Sequence, residues 1–433
     1  MAKILVRIAT IQEFENDNYF ELLNRARLDL ASVEKDTREI IDSVKLRGDE
    51  ALIELTEKFD STKLNIDTIK ATKKDITKAY ETINPVEIKA LNKAAANIKK
   101  FQQLQLRRID LEYEKQDVKL GIISRSISSI GVYAPGGKTC YPSSVLMSAI
   151  PAKVAGVERM ILCSPPSPET RFNSYILVAA DIAEVDEIYC VGGAQAIAAM
   201  AYGTDTIKPV EKIVGPGNIY VNAAKQILSN EVAIDLPAGP SEILIIADNT
   251  AKAEFAAADI LAQAEHDENA TCILITDSKK IADEVRKIID TITENMSEES
   301  TIKIALRKRG LIVVVNKMEE AIKLSNRIAP EHLTIMTKNS SSYMKKITNA
   351  GAIFLGRYSP VAIGDYSVGT NHVLPTGGYA KTYSGLSVRD FLKTISYVNC
   401  SSKGLKKLAK TTKTLADIEK LSFHSKSIEV RGA

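Results

Sequence analysis

EIYCVGGAQAIAAMAYG, residues 187–203, sets a short apolar run beside a Val-Gly-Gly turn and an alanine-rich stretch. This succession reads as strand, loop and helix. Two neighbouring segments repeat it: RMILCSPPSPE at 159–169, and KIVGPGNIYVNAAKQIL at 212–228. Strands alternating with helices at this spacing predict a parallel sheet with helices packed on its faces. The loops APGGKTCYPSS (134–144), VGGAQAI (191–197) and VGPGN (214–218) are expected at the carboxyl end of that sheet, where open α/β folds bind ligands.

The pattern resumes beyond residue 240 with the strand-like SEILIIADN (241–249), a helix in AEFAAADILAQAEHD (253–267) and the strand-like TCILITD (271–277). The chain therefore holds two α/β units, in tandem or interleaved. Upstream, apolar positions at Val33, Ile40, Ile41 and Val44, then Leu52, Leu55 and Phe59, predict two amphipathic helices punctuated by Gly48. EIKALNKAAANIKKFQQLQ (87–105) predicts another helix, and GIISRSISSIGVYAPGG (121–137) predicts strands ending in a Pro-Gly-Gly turn. The stretch 401–427 is helical in pattern and carries Lys403, Lys406, Lys407, Lys410 and Lys413. With no aromatic platform beside it, this run reads as a solvated helix face and not as a nucleic-acid patch.

The 433 residues are 45% hydrophobic and 26% charged, too many for one core. A net charge of +3, from 57 basic and 54 acidic residues, supplies no single-sign field for nucleic acid or membrane. A small diffusing substrate fits better. No stretch has the continuous apolar character of a secretory signal or a bilayer span. The five cysteines, Cys140, Cys163, Cys190, Cys272 and Cys400, form no CxxC pair, which argues for a reducing cytoplasm and against a thiolate zinc cluster. Cys140 stands among glycines, yet a lone cysteine without a base is more often inert.

Imidazole chemistry must draw on four histidines, His266, His332, His372 and His424. His266 follows Gln263 by three residues in a helical context, a spacing that puts an amide oxygen and an imidazole on one helix face, as a metal site would need. Glu331 and His332 adjoin behind Ala329-Pro330 and form a plausible proton-transfer pair. Asp365 and His372 bracket a loop rich in Gly, Ser, Thr and Asn. Glu419 and His424 close a polar terminal helix and, taken alone, would be read as solvent-exposed. The dinucleotide fingerprint GxGxxG is absent; Gly215-Pro-Gly217-Asn lacks the third glycine, although such a turn can still receive pyrophosphate at a helix N-terminus.

Together and in order, GVYAPGG, YPSSVLMSAIPAKVAGV, VGGAQAIAA, VGPGN, IDLPAGPSE, LAQAEHD, RIAPEHL, GDYSVGTNHVLPT, SGLSVRDFLK and LADIEKLSFH resemble histidinol dehydrogenase from about Gly131 onward. The N-terminal third matches chiefly through VKLRGDEALIELTEKFD (44–60). The departures, Ser126 where proline is expected and Tyr383, remove no chemical group.

The resemblance implies oxidation of L-histidinol to L-histidine through an enzyme-held aldehyde, with two NAD reduced. It implies one zinc ion on Gln263, His266, Asp365 and His424. Substrate contacts are implied for those four residues and for Ser241, His332, His372 and Glu419. Glu331 and His332 are implied as the catalytic pair, and Tyr133, Gln195 and Asn218 as NAD contacts. A homodimer is implied, in which His424 and Glu419 complete the neighbour's site.

The expected fold class is α/β, with two Rossmann-like domains whose dinucleotide fingerprint is incomplete and with small helical appendages at both ends. The expected division is a helical segment at 1–29, a large domain from 30–132 and 242–386 bearing zinc and catalytic residues, an NAD-side domain at 133–241, and a small C-terminal domain at 387–433. The competing readings are a zinc dehydrogenase of another small alcohol, such as a sulfonated diol; a metal hydrolase using zinc and Glu331 without NAD; and a noncatalytic scaffold. The retained Ser241, His372 and Glu419 favour histidinol over an anionic alcohol.

Overall fold

In the computed structural model, residues 5–17, 32–107, 109–136, 140–167, 170–236 and 239–432 are described. Two parallel sheets organise them. The first runs, edge to edge, through Glu187–Cys190, Arg159–Ser164, Ser129–Tyr133, Lys212–Val214 and Ala233–Ile234. Numbered along the chain its order is 3-2-1-4-5, so the connection reverses between Ser129–Tyr133 and Lys212–Val214. Both of the loops leaving that switch point, after Tyr133 and after Val214, lie on the carboxyl side, where the sequence predicts a ligand.

The second sheet runs through Arg7–Thr10, Gly310–Val314, Thr271–Thr276, Glu242–Ala247, His332–Met336 and Ala352–Leu355, again all parallel. Its strand Glu242–Ala247 is buried throughout. Ile243, Ile245 and Ala247 enter the core on one face, and Leu244 and Ile246 the core on the other. This is the signature of a parallel strand covered on both sides, each buried aliphatic side chain contributing roughly 1.5–3 kcal/mol.

Three expectations change. The N-terminal segment is not purely helical: Arg7–Thr10 forms the edge strand beside Gly310–Val314, before the helix Ile11–Asp17, while residues 18–29 lie outside the described residues. Instead of grouping with 242–386, the helices of residues 32–107 pack mainly with the five-stranded sheet, although Val373 and Leu386 share part of that core. The helices Glu34–Arg47 and Asp49–Asp60 place Ile41, Val44 and Leu52 in a core with Tyr133 and Ile161, and the helix Pro85–Leu106 places Ala95 and Ile98 against Ile130 and Leu162. Amphipathic periodicity demands a covered face but does not name the sheet that covers it. Finally, the C-terminal region is not purely helical: after the short 3-10 turn Val388–Phe391 it carries a strand. Leu392–Cys400 pairs antiparallel with Val118–Ser126, which pairs with Leu111–Lys115, ahead of the helices Ser402–Ile418 and Ser422–Glu429.

Candidate active site

The carboxyl ends of the five-stranded sheet and the amino ends of two strands in the six-stranded sheet line one cavity of about 660 Å³. From the first come Gly215, Gly217 and Asn218; from the second, Glu331, His332 and Ser241. Gln263, His266, Asp365 and His372 complete its wall. Eight of the twelve residues singled out in the sequence therefore meet in one place, although they arise from segments far apart in the chain.

His332 is the first residue of its strand and is buried. Its Nδ1 lies 2.9 Å from the carbonyl oxygen of Glu242. A carbonyl only accepts, so Nδ1 carries the hydrogen and Nε2 is left basic. Nε2 is buried without a hydrogen-bond partner among the described residues and lies 3.6 Å from Oδ1 of Asp365. Before it, Ala329 takes the left-handed conformation at φ +52° and ends the helix Met318–Ile328. That conformation is strained for a residue with a Cβ, and it turns Pro330 and Glu331 sharply into the sheet.

Glu331 accepts the Glu242 N–H at Oε2, at 2.7 Å, and that oxygen lies 3.5 Å from Nδ1 of His332. Burial pushes the Glu331 carboxyl up to about 7, against the opposing charge of His332 and the Glu242 N–H. For His332 burial acts downward, but the carboxylates of Glu331 and Asp365 and the Glu242 carbonyl outweigh it and raise the imidazole to about 9. Burial likewise acts upward on Asp365, yet His332, His372 and His266 hold it below the usual carboxylate range. Thus three imidazoles gather around one carboxylate.

His372 lies with Nδ1 3.0 Å from the main-chain oxygen of Asp365 and Nε2 3.2 Å from Oγ of Ser144. With Nδ1 donating, Nε2 accepts from the Ser144 hydroxyl, and burial lowers this imidazole's pKa, so the ring is held neutral. Gln263 is buried near the end of the helix Ala253–Ala264. The helix stops before His266, which sits in the following turn with its main-chain N–H donating to the main-chain oxygen of Gln263 at 3.3 Å. His266 thus lies in the turn beyond the helix end and not within the helix, and both side chains reach the cavity.

Asn218 caps the helix Ile219–Ile227 by accepting the Val221 N–H at 3.1 Å, and it lines the cavity. Tyr133 and Gln195 lie behind the wall. Tyr133 is buried and its hydroxyl accepts the Gly193 N–H at 3.1 Å, while Nε2 of buried Gln195 has no hydrogen-bond partner among the described residues. Glu419 and His424 are exposed on the terminal helices and do not line this cavity within the same chain. Among the described residues, no three His, Cys, Asp or Glu side chains of this chain stand grouped to hold a metal ion. The in-chain set provides only His266 and Asp365 of those types, with the Gln263 amide beside them.

Residues that the sequence reading misses include Glu242, Ser144, Lys225 and Asp235. Glu242 works here through its main chain, which leaves no side-chain signal. Ser144 stands at the start of the helix Pro142–Ala155, where a hydroxyl ordinarily reads as a cap.

A family model described as histidinol dehydrogenase matches residues 23–432. A histidinol dehydrogenase of Methanothermobacter thermautotrophicus is 46% identical over 421 residues, covering 97% of this chain and 98% of that protein. One of Clostridium acetobutylicum is 45% identical over 428 residues, covering 99% of each. The crystal structure of histidinol dehydrogenase from Elizabethkingia anophelis superposes with a TM-score of 0.92 at 36% identity, covering 100% of this chain and 99% of that one.

Proposed function

Because the chain belongs to the histidinol dehydrogenase family, whose members oxidise histidinol with NAD in histidine biosynthesis, we propose that its cavity carries the whole four-electron conversion of L-histidinol to L-histidine. In this reading the alcohol gives up two hydrides to two NAD in succession, passes through L-histidinal and consumes one water.

The observation that carries the proposal is the meeting of a Gln263, His266 and Asp365 donor set with the adjoining Glu331 and His332 pair in one cavity. His332 takes the alcohol proton at Nε2 as the first hydride leaves. A carboxyl titrating near 7 is suited to the next task, and Glu331 draws a proton from the water that adds to the aldehyde. Once His332 has released that first proton to solvent, the hydrated aldehyde gives the second hydride and His332 accepts the hydroxyl proton. Ser241 and His372 hold the substrate, joined by Glu419 of the partner subunit. Asn218, with Tyr133 and Gln195 behind it, serves NAD at the switch point of the five-stranded sheet.

The donor set is compatible with zinc: a borderline imidazole with a hard carboxylate and a weak amide oxygen leaves room for substrate nitrogens. Gln263, His266, Asp365 and His424 of the partner subunit would hold it, and its charge would orient the amino alcohol without redox chemistry. Exposed Ile418, Leu421, Phe423 and Val430 flank Glu419 and His424, at 71, 42, 85 and 68% exposure, and favour a second copy over water as their cover. A cytoplasmic location accords with five cysteines that are all free. No helix among the described residues is long and apolar enough to cross a membrane.

The test is to count NADH formed per L-histidinol consumed, before and after chelation. Two NADH per alcohol, lost with the metal and restored by zinc, is the expected result. One NADH with free aldehyde accumulating would overturn the four-electron reading.

A further inference from the structure

Behind the loop Gly215–Asn218 lies an ion pair that neither proton transfer nor the proposed metal uses. Lys225, on the helix Ile219–Ile227, and Asp235, just past the strand Ala233–Ile234, pair with each other, and both side chains are 2% exposed. Nζ of Lys225 donates to the carbonyl oxygen of Gly215 at 3.0 Å. The N–H of the same glycine donates to Oδ2 of Asp235 at 2.8 Å. Two buried charges therefore hold both main-chain polar groups of one residue.

Gly215 is under unusual constraint. Its φ is +111°, and a Cβ there would stand 2.1 Å from the carbonyl oxygen of Tyr133, so the loop is pressed onto the end of the adjacent strand at the switch point. Asn222, one turn along the helix, donates from Nδ2 to the oxygen of Gly217 at 3.0 Å. Burying an ion pair is a poor route to stability, since well-packed apolar replacements often serve as well or better. Here both charges instead act on the one glycine that sets the path of the loop.

We propose that Lys225 and Asp235 are positioning residues for the dinucleotide: by fixing both sides of Gly215 they aim the loop Gly215–Asn218 and the helix start behind it at the cofactor. This rests on the assignment of that loop to NAD. The pair acts through the loop and touches no reacting atom, so its loss should weaken NAD capture and spare the substrate side, where Gln263, His266 and Asp365 stand on other elements.

The experiment compares the full-length variants Lys225→Met, Lys225→Arg, Asp235→Asn and the double variant Lys225→Met/Asp235→Leu with the parent enzyme. The readouts are the KM for NAD, the KM for histidinol and bound zinc. The expected result is an NAD KM raised about tenfold or more in Lys225→Met and in the double variant, with histidinol KM and zinc within about twofold, and substantial recovery in Lys225→Arg. The double variant leaves no unpaired buried charge and guards against simple misfolding. An NAD KM within about twofold of the parent in the double variant, or an equal rise in both KM values, would overturn the proposal. Asn218→Ala separates the two layers. If it raises the NAD KM while the Lys225 and Asp235 variants do not, only the role of the pair falls; if none of them moves it, the placement of NAD at this loop falls as well.

Discussion

The main chain of Glu242 holds Glu331 by its N–H, which donates to Oε2 at 2.7 Å, and the carbonyl of the same residue receives Nδ1–H of His332 at 2.9 Å. One strand end thus sets the tautomer of the imidazole and the direction of the neighbouring carboxyl. Three parallel strands place them, since His332 is in register with Ile243 on one side and Ala352 on the other. The pair is fixed by hydrogen bonds to the main chain of a strand, not by loop packing, and Nε2 is the nitrogen of the His332 ring left basic for a substrate proton.

Replacing His332 by Gln keeps a polar side chain of similar reach and removes the base. The expected loss in kcat for L-histidinol is about 10²–10⁴-fold, with zinc still bound. Glu331→Gln should affect the steps unequally: oxidation starting from L-histidinal, which needs water, falls by about 10²-fold or more, while hydride transfer from the alcohol falls less. Rapid-mixing measurement of NADH formation from each substrate separates them. Equal losses from both in Glu331→Gln would mean that the carboxyl does not select the hydration step.

The same pair predicts a shift in the pH profile. His332 can act as a base only after losing its proton, and the Glu331 and Asp365 carboxylates raise its pKa to about 9 against the opposing effect of burial. Activity should therefore rise with pH on the limb that reports His332. Taking away one of the charges that raise the imidazole should lower its pKa, so Glu331→Gln should move this limb toward acid. The measurement is kcat/KM for L-histidinol against pH; a limb that stays in place would assign it to another group.

Much of this site is legible in the sequence because its chemistry uses scarce residue types. With only four histidines, His266, His332 and His372 could be examined one by one, and their neighbours Gln263, Glu331 and Asp365 came with them. What local pattern does not carry is pairing over distance. Nothing within Arg7–Thr10 points to Gly310–Val314 as its partner, and the apolar stripe of Glu34–Arg47 does not say which sheet it covers. Glu242 is hidden for another reason, since main-chain donors and acceptors are common to all residues and only the register of neighbouring strands makes this one special.

Far from the cavity, Glu187 gives a stability test of the five-stranded sheet. Burial alone would raise its carboxyl, but hydrogen bonds from Lys70, Tyr189 and Arg159 outweigh it and depress the carboxyl to about 2. A depressed acid contributes stability that is present above the unfolded pKa of about 4.5 and is lost as pH falls toward 2. After allowance for solvent screening, Glu187→Gln should cost about 1–2 kcal/mol at pH 7 and progressively less below about pH 4. Urea unfolding of both proteins across that range checks it. A cost independent of pH would point to lost hydrogen-bond geometry and not to charge.

Whether His424 serves its own chain or another is decided by mixing two inactive proteins. His332→Gln disables the site in which it lies, and His424→Ala disables whichever site that residue completes. If His424 reaches across, a heterodimer of the two variants has one doubly disabled site and one intact site, built from the normal His332 of one chain and the normal His424 of the other. Random reassociation makes about half of the dimers mixed, each with one working site of two, so activity should recover to roughly a quarter of the parent's. If His424 acts within its own chain, every site in the mixture is broken and none returns. The measurement is NADH formation after co-refolding at equal concentrations, with each variant refolded alone as the zero. Recovery should be accompanied by zinc retained at about half of the sites, because loss of His424 removes one ligand of the proposed four and loss of His332 removes none.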